Sequence, residues 1–372
     1  MDTLRVAVDA TPLLGARTGV GTFVAGALGA LAGDPSLELS AYALSLRGRR
    51  ALPGHLPAGV RALGRPMVAG ALQRSWARAD APPAEWWTGG VDVVHGTNFC
   101  VPPARRARQI VTVHDLTPVR YPELTSAATR VFPSLVRRAL SRGAHVHTPS
   151  AFVATEVVDL LGAHPDQVHA VHHGVPEDAG GAGAPPADSP VDGPYVLALG
   201  RVEPRKGLPS LVAAFDAVAA DHPGVRLVVA GPDGWGVDAY DAAVRRSSCA
   251  ASVIRLGYLD DARAAALLRG ATVLAFPSVY EGFGLPPLEA MAAGVAVVAT
   301  SAGALPEVLG DAAYLVPVGD TDALAEGLSR VLEDDGVRAA LVASGRQQAA
   351  RYSWAKCASG LTDLYRQAVE VH

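Results

Sequence analysis

Cysteine is scarce: the 372 residues hold three, Cys100, Cys249 and Cys357. Their odd number and wide separation exclude a disulfide framework, and they lack the paired spacing of a zinc site or a redox motif. A reduced, cytoplasmic setting is expected. No apolar run reaches the roughly 20 residues that span a bilayer. The start of the chain, Met1-Asp2 and then a strand-like run, has neither the basic segment nor the apolar core of a leader peptide, so none is expected. A net charge of −4 argues against general nucleic-acid binding. Two nucleotide signatures are also missing. No glycine loop ends in Gly-Lys-Ser or Gly-Lys-Thr, and no Gly-x-Gly-x-x-Gly promptly follows the first strand. Neither P-loop ATP hydrolysis nor dinucleotide-dependent oxidoreduction is expected.

The composition is globular, 49% hydrophobic and 18% charged, and the length suits two domains of about 150 to 200 residues. Short apolar runs alternate with helical patterns. Leu4–Val8, Leu37–Leu44, Val91–Val94, Ile110–Val113, His145–Thr148 and Val168–Val171 read as strands of a first βα series. Tyr195–Leu199, Val225–Ala230, Val253–Leu256, Thr272–Phe276, Val295–Ala299 and Ala312–Val316 read as a second. Such alternation predicts an α/β fold of two doubly wound, mostly parallel sheets, with ligand bound at the facing carboxyl ends of their strands. The expected boundaries are a first domain over 1–176, a Gly-, Ala- and Pro-rich linker over 177–193, and a second domain over 194–352. A final helix, 353–372 with Ser353 as N-cap, is expected to pack back on the first domain.

Charge is unevenly divided. Residues 1–176 hold 17 Arg and 12 Asp or Glu, a balance of +5, which leaves −9 for the rest. A solvated surface is the more ordinary reading of this basic half. Contact with anionic lipid or a phosphorylated acceptor is the alternative.

Two segments carry chemistry. In Phe276-Pro277-Ser278-Val279-Tyr280-Glu281-Gly282-Phe283-Gly284-Leu285-Pro286-Pro287-Leu288-Glu289, a strand ends, glycines allow a sharp turn, and prolines suit the opening of a helix. The helix start favours an anion, and Glu281 and Glu289 bracket it with acceptors for vicinal hydroxyls. A plain strand-turn-helix junction would explain the glycines and prolines but not the paired glutamates. Gly200-Arg201-Val202-Glu203-Pro204-Arg205-Lys206-Gly207 follows the first strand of the second series and places cations beside another helix start. Fixed cations there can stabilise a departing diphosphate without a metal.

These segments, in this order, resemble the retaining glycosyltransferases of family 4, which have the GT-B fold with an interdomain cleft. The likeness extends to Gly19-Val20-Gly21, His114-Asp115-Leu116, Pro149-Ser150, His173-Gly174-Val175, Gly257-Tyr258 and Leu305-Pro306-Glu307. Within the family, Glu203-Pro204-Arg205-Lys206 and the stretch Gly231–Trp235 most resemble bacterial mannosyltransferases of polysaccharide or glycolipid assembly. The resemblance implies transfer of a hexose from a nucleotide-diphosphate sugar to an acceptor hydroxyl with retention. GDP-mannose is the favoured donor and a UDP-sugar the runner-up, with no cofactor and no metal. It places Glu281 and His114 beside the transferred sugar, Glu289 on the ribose, and Lys206 with Arg201 or Arg205 on the diphosphate. It gives the amides of Gly282, Phe283, Gly284 and Leu285 to sugar and phosphate oxygens, and brings Gly19 and Gly21 near phosphate or acceptor. The implied acceptor is a sugar, glycolipid or other hydroxyl compound, and for a glycolipid the first domain would meet the inner face of the membrane. Alternatives are a sugar-nucleotide epimerase, a glycosidase using the two glutamates, and a non-catalytic sugar-nucleotide binder.

His95, His172, His173 and Glu307 are expected in structural roles, the histidines without metal-site spacing and Glu307 at a helix start. Trp76, Trp86 and Trp87 are expected to pack.

Overall fold

The computed structural model describes residues 3–15, 18–126, 129–175 and 191–370. It divides into two compact units, Met1–Gly174 with Tyr352–His372, and Val175–Arg351. Residues 177–190 of the expected linker lie outside the described residues; Val191 just beyond them is buried.

The first unit has seven strands: β1 (Leu4–Asp9), β2 (Leu37–Tyr42), β3 (Arg61–Leu63), β4 (Val93–Gly96), β5 (Arg108–Thr112), β6 (His145–Thr148) and β7 (Val168–Ala170). They pair in the order β3-β2-β1-β4-β5-β6-β7, every pair parallel. Strand alternation sends neighbouring side chains to opposite faces. Val6, Val8, Val93 and Ile110 join one apolar cluster, while Ala7, Val94 and Val111 join another. Both faces are covered, as a parallel sheet requires. Strand β3 has no counterpart among the apolar runs of the sequence. Its three residues, one an exposed Arg61, are too few to show a period.

The helix Gly19–Leu31 buries Phe23, Val24, Ala27, Leu28 and Leu31 at helical spacing. Against it lies the last helix, Trp354–Glu370, whose start is capped by Ser353 Oγ accepting the Lys356 N–H at 3.2 Å. Cys357, Leu361, Leu364, Tyr365 and Ala368 enter the same apolar cluster. Each large apolar side chain buried there is worth about 1.5–3 kcal/mol, so this helix is a large share of a typical stability margin. His95 is a core residue: its Nδ1 pairs with the Tyr365 hydroxyl and its Nε2 with Thr112 Oγ1, both at 2.8 Å. Trp76 and Trp87 pack in the core, whereas Trp86 is exposed.

The second unit holds β8 (Tyr195–Leu199), β9 (Arg226–Ala230), β10 (Val253–Gly257), β11 (Val273–Phe276), β12 (Ala296–Thr300) and β13 (Tyr314–Val316). Their order is β10-β9-β8-β11-β12-β13, again wholly parallel. In each unit the chain winds outward from one strand and then returns to its other side. The switch points fall between β1 and β4 and between β8 and β11, where doubly wound sheets open a crevice at their carboxyl edge. Among the described residues no helix is long and apolar enough to cross a membrane.

Candidate active site

The fork between β8 and β11 gathers most of the charged residues singled out in the second unit. After β8 the chain turns through Gly200 and Arg201 into a short 3-10 turn, Pro204–Lys206, and Gly207 then caps the helix Leu208–Asp221. After β11 it runs through Pro277 and Ser278 to Glu281, and Gly284 caps the helix Leu285–Ala292. Two stitches join these loops: the Val279 N–H donates to the Arg205 carbonyl at 2.8 Å, and Arg205 Nη1 donates to the Tyr280 carbonyl at 2.9 Å.

Glu281 lies at the centre and is buried. Its Oε1 accepts from Lys206 Nζ at 2.6 Å and from the Ser278 hydroxyl at 2.7 Å, while Oε2 lies 2.9 Å from Arg205 Nη1. Burial alone would raise its pKa. Arg205 first, then Lys206 and the hydrogen bonds, overcome that and carry it down to about 2. Glu281 is therefore an anion across the physiological range. Lys206 Nζ also stands 4.7 Å from the centre of the Phe276 ring, and burial pulls its pKa below the usual lysine value against the opposing pull of Glu281.

Arg201 takes a different position. Its side chain is 38% exposed, donating to the Asp233 carbonyl at 3.3 Å and lying 3.5 Å from Glu203. Glu203 is also 3.9 Å from Arg205. Arg201 and Lys206 line a small pocket at the fork with Gly200, Phe276, Pro277 and Ser278.

Glu289 stands apart on the helix Leu285–Ala292. Half-buried, it makes no ion pair among the described residues; desolvation, then the charge of Asp261, pushes its pKa up to about 7. The helix start offers few donors. Pro286 and Pro287 have no N–H, and that of Leu288 reaches the Gly284 carbonyl at 3.3 Å. An anion there would meet Leu285 N–H and the glycine turn before it rather than the usual cluster of helix amides.

In the first unit, His114 follows β5, and Gly19 and Gly21 open the helix after β1. His114 Nε2 donates to the Thr97 carbonyl at 2.8 Å, and the Thr97 hydroxyl donates to the Asp9 carbonyl at 2.7 Å. Phe23 meets the His114 ring edge-on at 5.4 Å, tying the histidine to the first turns of that helix. Burial holds the imidazole below its ordinary pKa. A neutral ring whose Nε2–H is spent on a carbonyl keeps its Nδ1 lone pair for a hydroxyl. His173 is stacked on Phe23 at 4.3 Å.

Three contributors escape sequence reasoning. Ser278 is an ordinary loop residue until its partner is known, and Glu203 belongs to a recognisable motif whose ion pairs the sequence does not show. Asp9, a carboxylate buried at the end of β1 with its pKa raised by desolvation to about 6, carried one usable signal: an acid ending an apolar strand at the carboxyl edge. Among the described residues no group of three or more His, Cys, Asp or Glu is placed to hold a metal ion.

The family signature "Glycosyltransferase Family 4" matches residues 19–179, and "Glycosyl transferases group 1" matches residues 185–348. The O-antigen chain mannosyltransferase B of Escherichia coli is 31% identical over 287 residues, covering 74% of this chain and 74% of that protein. The chain belongs to glycosyltransferase family 4. A more local match, the phosphatidyl-myo-inositol mannosyltransferase of Mycolicibacterium smegmatis, is 39% identical over 189 residues, half of this chain and 48% of that protein. Two solved structures share the fold. Sucrose-phosphate synthase from Thermosynechococcus elongatus superposes with a TM-score of 0.76 at 21% identity, over 98% of both chains. Anabaena Alr3699/HepE, solved in complex with UDP-glucose, does so with a TM-score of 0.73 at 18% identity, over 98% of this chain and all of that one. This family 4 chain is thus a glycosyltransferase of the GT-B fold with two Rossmann-like units.

At Gly207 the fork constrains the backbone tightly. Its φ is +63°, and a Cβ there would lie 2.1 Å from the Pro277 carbonyl oxygen. Gly207→Ala is expected to cost roughly 2 kcal/mol or more, from left-handed strain and from pushing the two loops apart. A lower urea midpoint with an unchanged slope checks this; an unchanged midpoint refutes it.

Proposed function

We propose that the protein transfers mannose from GDP-mannose to an acceptor hydroxyl with retention at the anomeric carbon. The observation that carries the reading is the buried Glu281 carboxylate clamped between Lys206 and Arg205 at the fork of the second sheet. Such a constellation offers cations for a diphosphate and an anion beside the carbon from which that diphosphate departs. Lys206 and Arg201 take the diphosphate oxygens, with the amides of Gly282, Phe283, Gly284 and Leu285 completing the cradle. Glu281 faces the transferred sugar. The ribose hydroxyls donate to Glu289. His114 and the glycine-opened helix of the first unit serve the sugar and acceptor hydroxyls.

In this reaction the bond from the anomeric carbon to the diphosphate oxygen breaks, and the acceptor oxygen bonds to that carbon from the same face. The acceptor proton passes to the departing diphosphate, so no protein nucleophile is needed. The choice of mannose rests on the similar mannosyltransferases, and a UDP-sugar is the second reading because a protein of similar fold was solved with UDP-glucose. The acceptor class is a glycan or glycolipid hydroxyl, and the setting a reduced cytoplasm.

The test is incubation with GDP-mannose and a panel of hydroxyl acceptors. Release of GDP that requires acceptor, with an α-linked product by NMR, supports the reading. An isomerised nucleotide sugar formed without acceptor would identify an epimerase, and cleavage of a simple glycoside a glycosidase.

Glu289 adds a pH signature. Below its raised pKa of about 7 the carboxyl is protonated and loses acceptor capacity, so donor affinity is expected to fall as pH drops. Between pH 8 and pH 6 the ionised fraction changes about tenfold, and calorimetric Kd should follow it. Glu289→Gln should bind weakly at both values. A wild-type Kd indifferent to pH would remove Glu289 from the ribose.

A further inference from the structure

Five charged side chains at the fork form a chain of alternating sign: Arg201, Glu203, Arg205, Glu281, Lys206. The successive separations are 3.5, 3.9, 2.9 and 2.6 Å. The two arginines in it are not equivalent. Arg201 is more than twice as exposed as Arg205, 38% against 16%, and lines the pocket at the fork with Lys206. Arg205 is not part of that lining. Its guanidinium is spent on the far loop, on the Tyr280 carbonyl and on Glu281, while its own carbonyl accepts the Val279 N–H.

We propose that Arg205, steadied by Glu203, is a positioning residue that aims the Glu281 carboxylate, and that the diphosphate is left to Arg201 and Lys206. Nη1 of Arg205, whose two hydrogens are fixed in the guanidinium plane, reaches the Tyr280 carbonyl and the Glu281 carboxylate at once, which fixes the direction of Glu281 as well as its charge. A lysine could neutralise Glu281 but would not hold both acceptors in one plane. Glu203 lies near the other terminal nitrogen of Arg205, Nη2, and near Arg201 as well, so it discourages either cation from turning to the other's task. The proposal rests on the reading that this fork holds a nucleoside diphosphate.

The experiment is calorimetric titration with GDP, and with UDP as the other base, of wild type, Arg201→Ala, Arg205→Ala and Arg205→Lys, alongside steady-state transfer from the donor. Arg201→Ala is expected to raise the nucleoside diphosphate Kd at least about tenfold through loss of a charge-assisted contact. Arg205→Ala should leave it within about fivefold, the reach of a lost neighbouring charge, yet lower kcat by roughly 30-fold or more. Arg205→Lys should keep wild-type Kd and recover only part of kcat. If Arg205→Ala does not fold, Glu203→Gln carries the test: kcat lower, Kd no weaker than wild type.

Equal weakening of nucleotide binding by Arg201→Ala and Arg205→Ala, with kcat kept in the latter, would overturn the proposal while leaving the donor site intact. Full recovery of kcat by Arg205→Lys would do the same. No binding of GDP or UDP to the wild type would sink the donor-site reading itself, and this one with it.

Discussion

Lys206→Ala should lower turnover by roughly 10²- to 10³-fold, the usual cost of removing one preorganised group from developing charge. Lys206 Nζ is 2.6 Å from Glu281, its side chain is 14% exposed, and it lies over Phe276 in the pocket at the fork. A cation held this way is desolvated before substrate arrives, so its interaction with a leaving diphosphate is little screened. The fold should survive the change. Glu281 keeps Arg205 and the Ser278 hydroxyl, so no buried carboxylate is left without a partner. Steady-state rates with varied donor, beside a thermal unfolding scan, separate the two effects. Turnover within a few-fold of wild type in a folded protein would remove Lys206 from the mechanism.

Glu281→Gln is expected to move binding and turnover in opposite directions. Arg201, Arg205 and Lys206 stand against Glu203 and Glu281, three cations and two carboxylates, a local balance of +1. The glutamine is nearly isosteric but raises the balance to +2. One uncompensated charge at the scale of this cluster is worth about 1 kcal/mol, so GDP should bind on the order of fivefold more tightly. Transfer should fall by about 10²-fold or more, because the anion proposed to face the sugar is gone. Tight GDP binding with lost transfer is the expected pair. Weaker GDP binding would mean that Glu281 assembles the nucleotide site rather than serving the chemistry.

Much of this architecture is legible in the chain. Both sheets are, because fully buried parallel strands read as unbroken apolar runs such as Tyr195–Leu199, and the helices between them repeat at 3.6 residues. The three-residue β3 is not, since a strand that short has no period. The two loops at the fork stand out through their punctuation: glycines and prolines mark where strands end and helices begin, and charged residues at those junctions are conspicuous. Their contact is hidden. Lys206 and Glu281 are 75 residues apart and meet only because β8 and β11 are neighbours at the switch point. Sequence reasoning likewise groups Arg201 with Arg205, and the geometry separates them. Glu203 shows only as part of its motif and Ser278 not at all, because contacts within an irregular loop have no periodicity.

Everything proposed above depends on a metal-independent nucleotide-sugar site in the second unit. Calorimetric titration of the wild type with GDP-mannose, with UDP-glucose in parallel and with each run repeated in chelator, tests it most directly. Saturable binding of GDP-mannose, unchanged by chelator and displaced by GDP, is the expected result. Absence of binding by any nucleotide sugar, or binding that requires an added divalent cation, would contradict it.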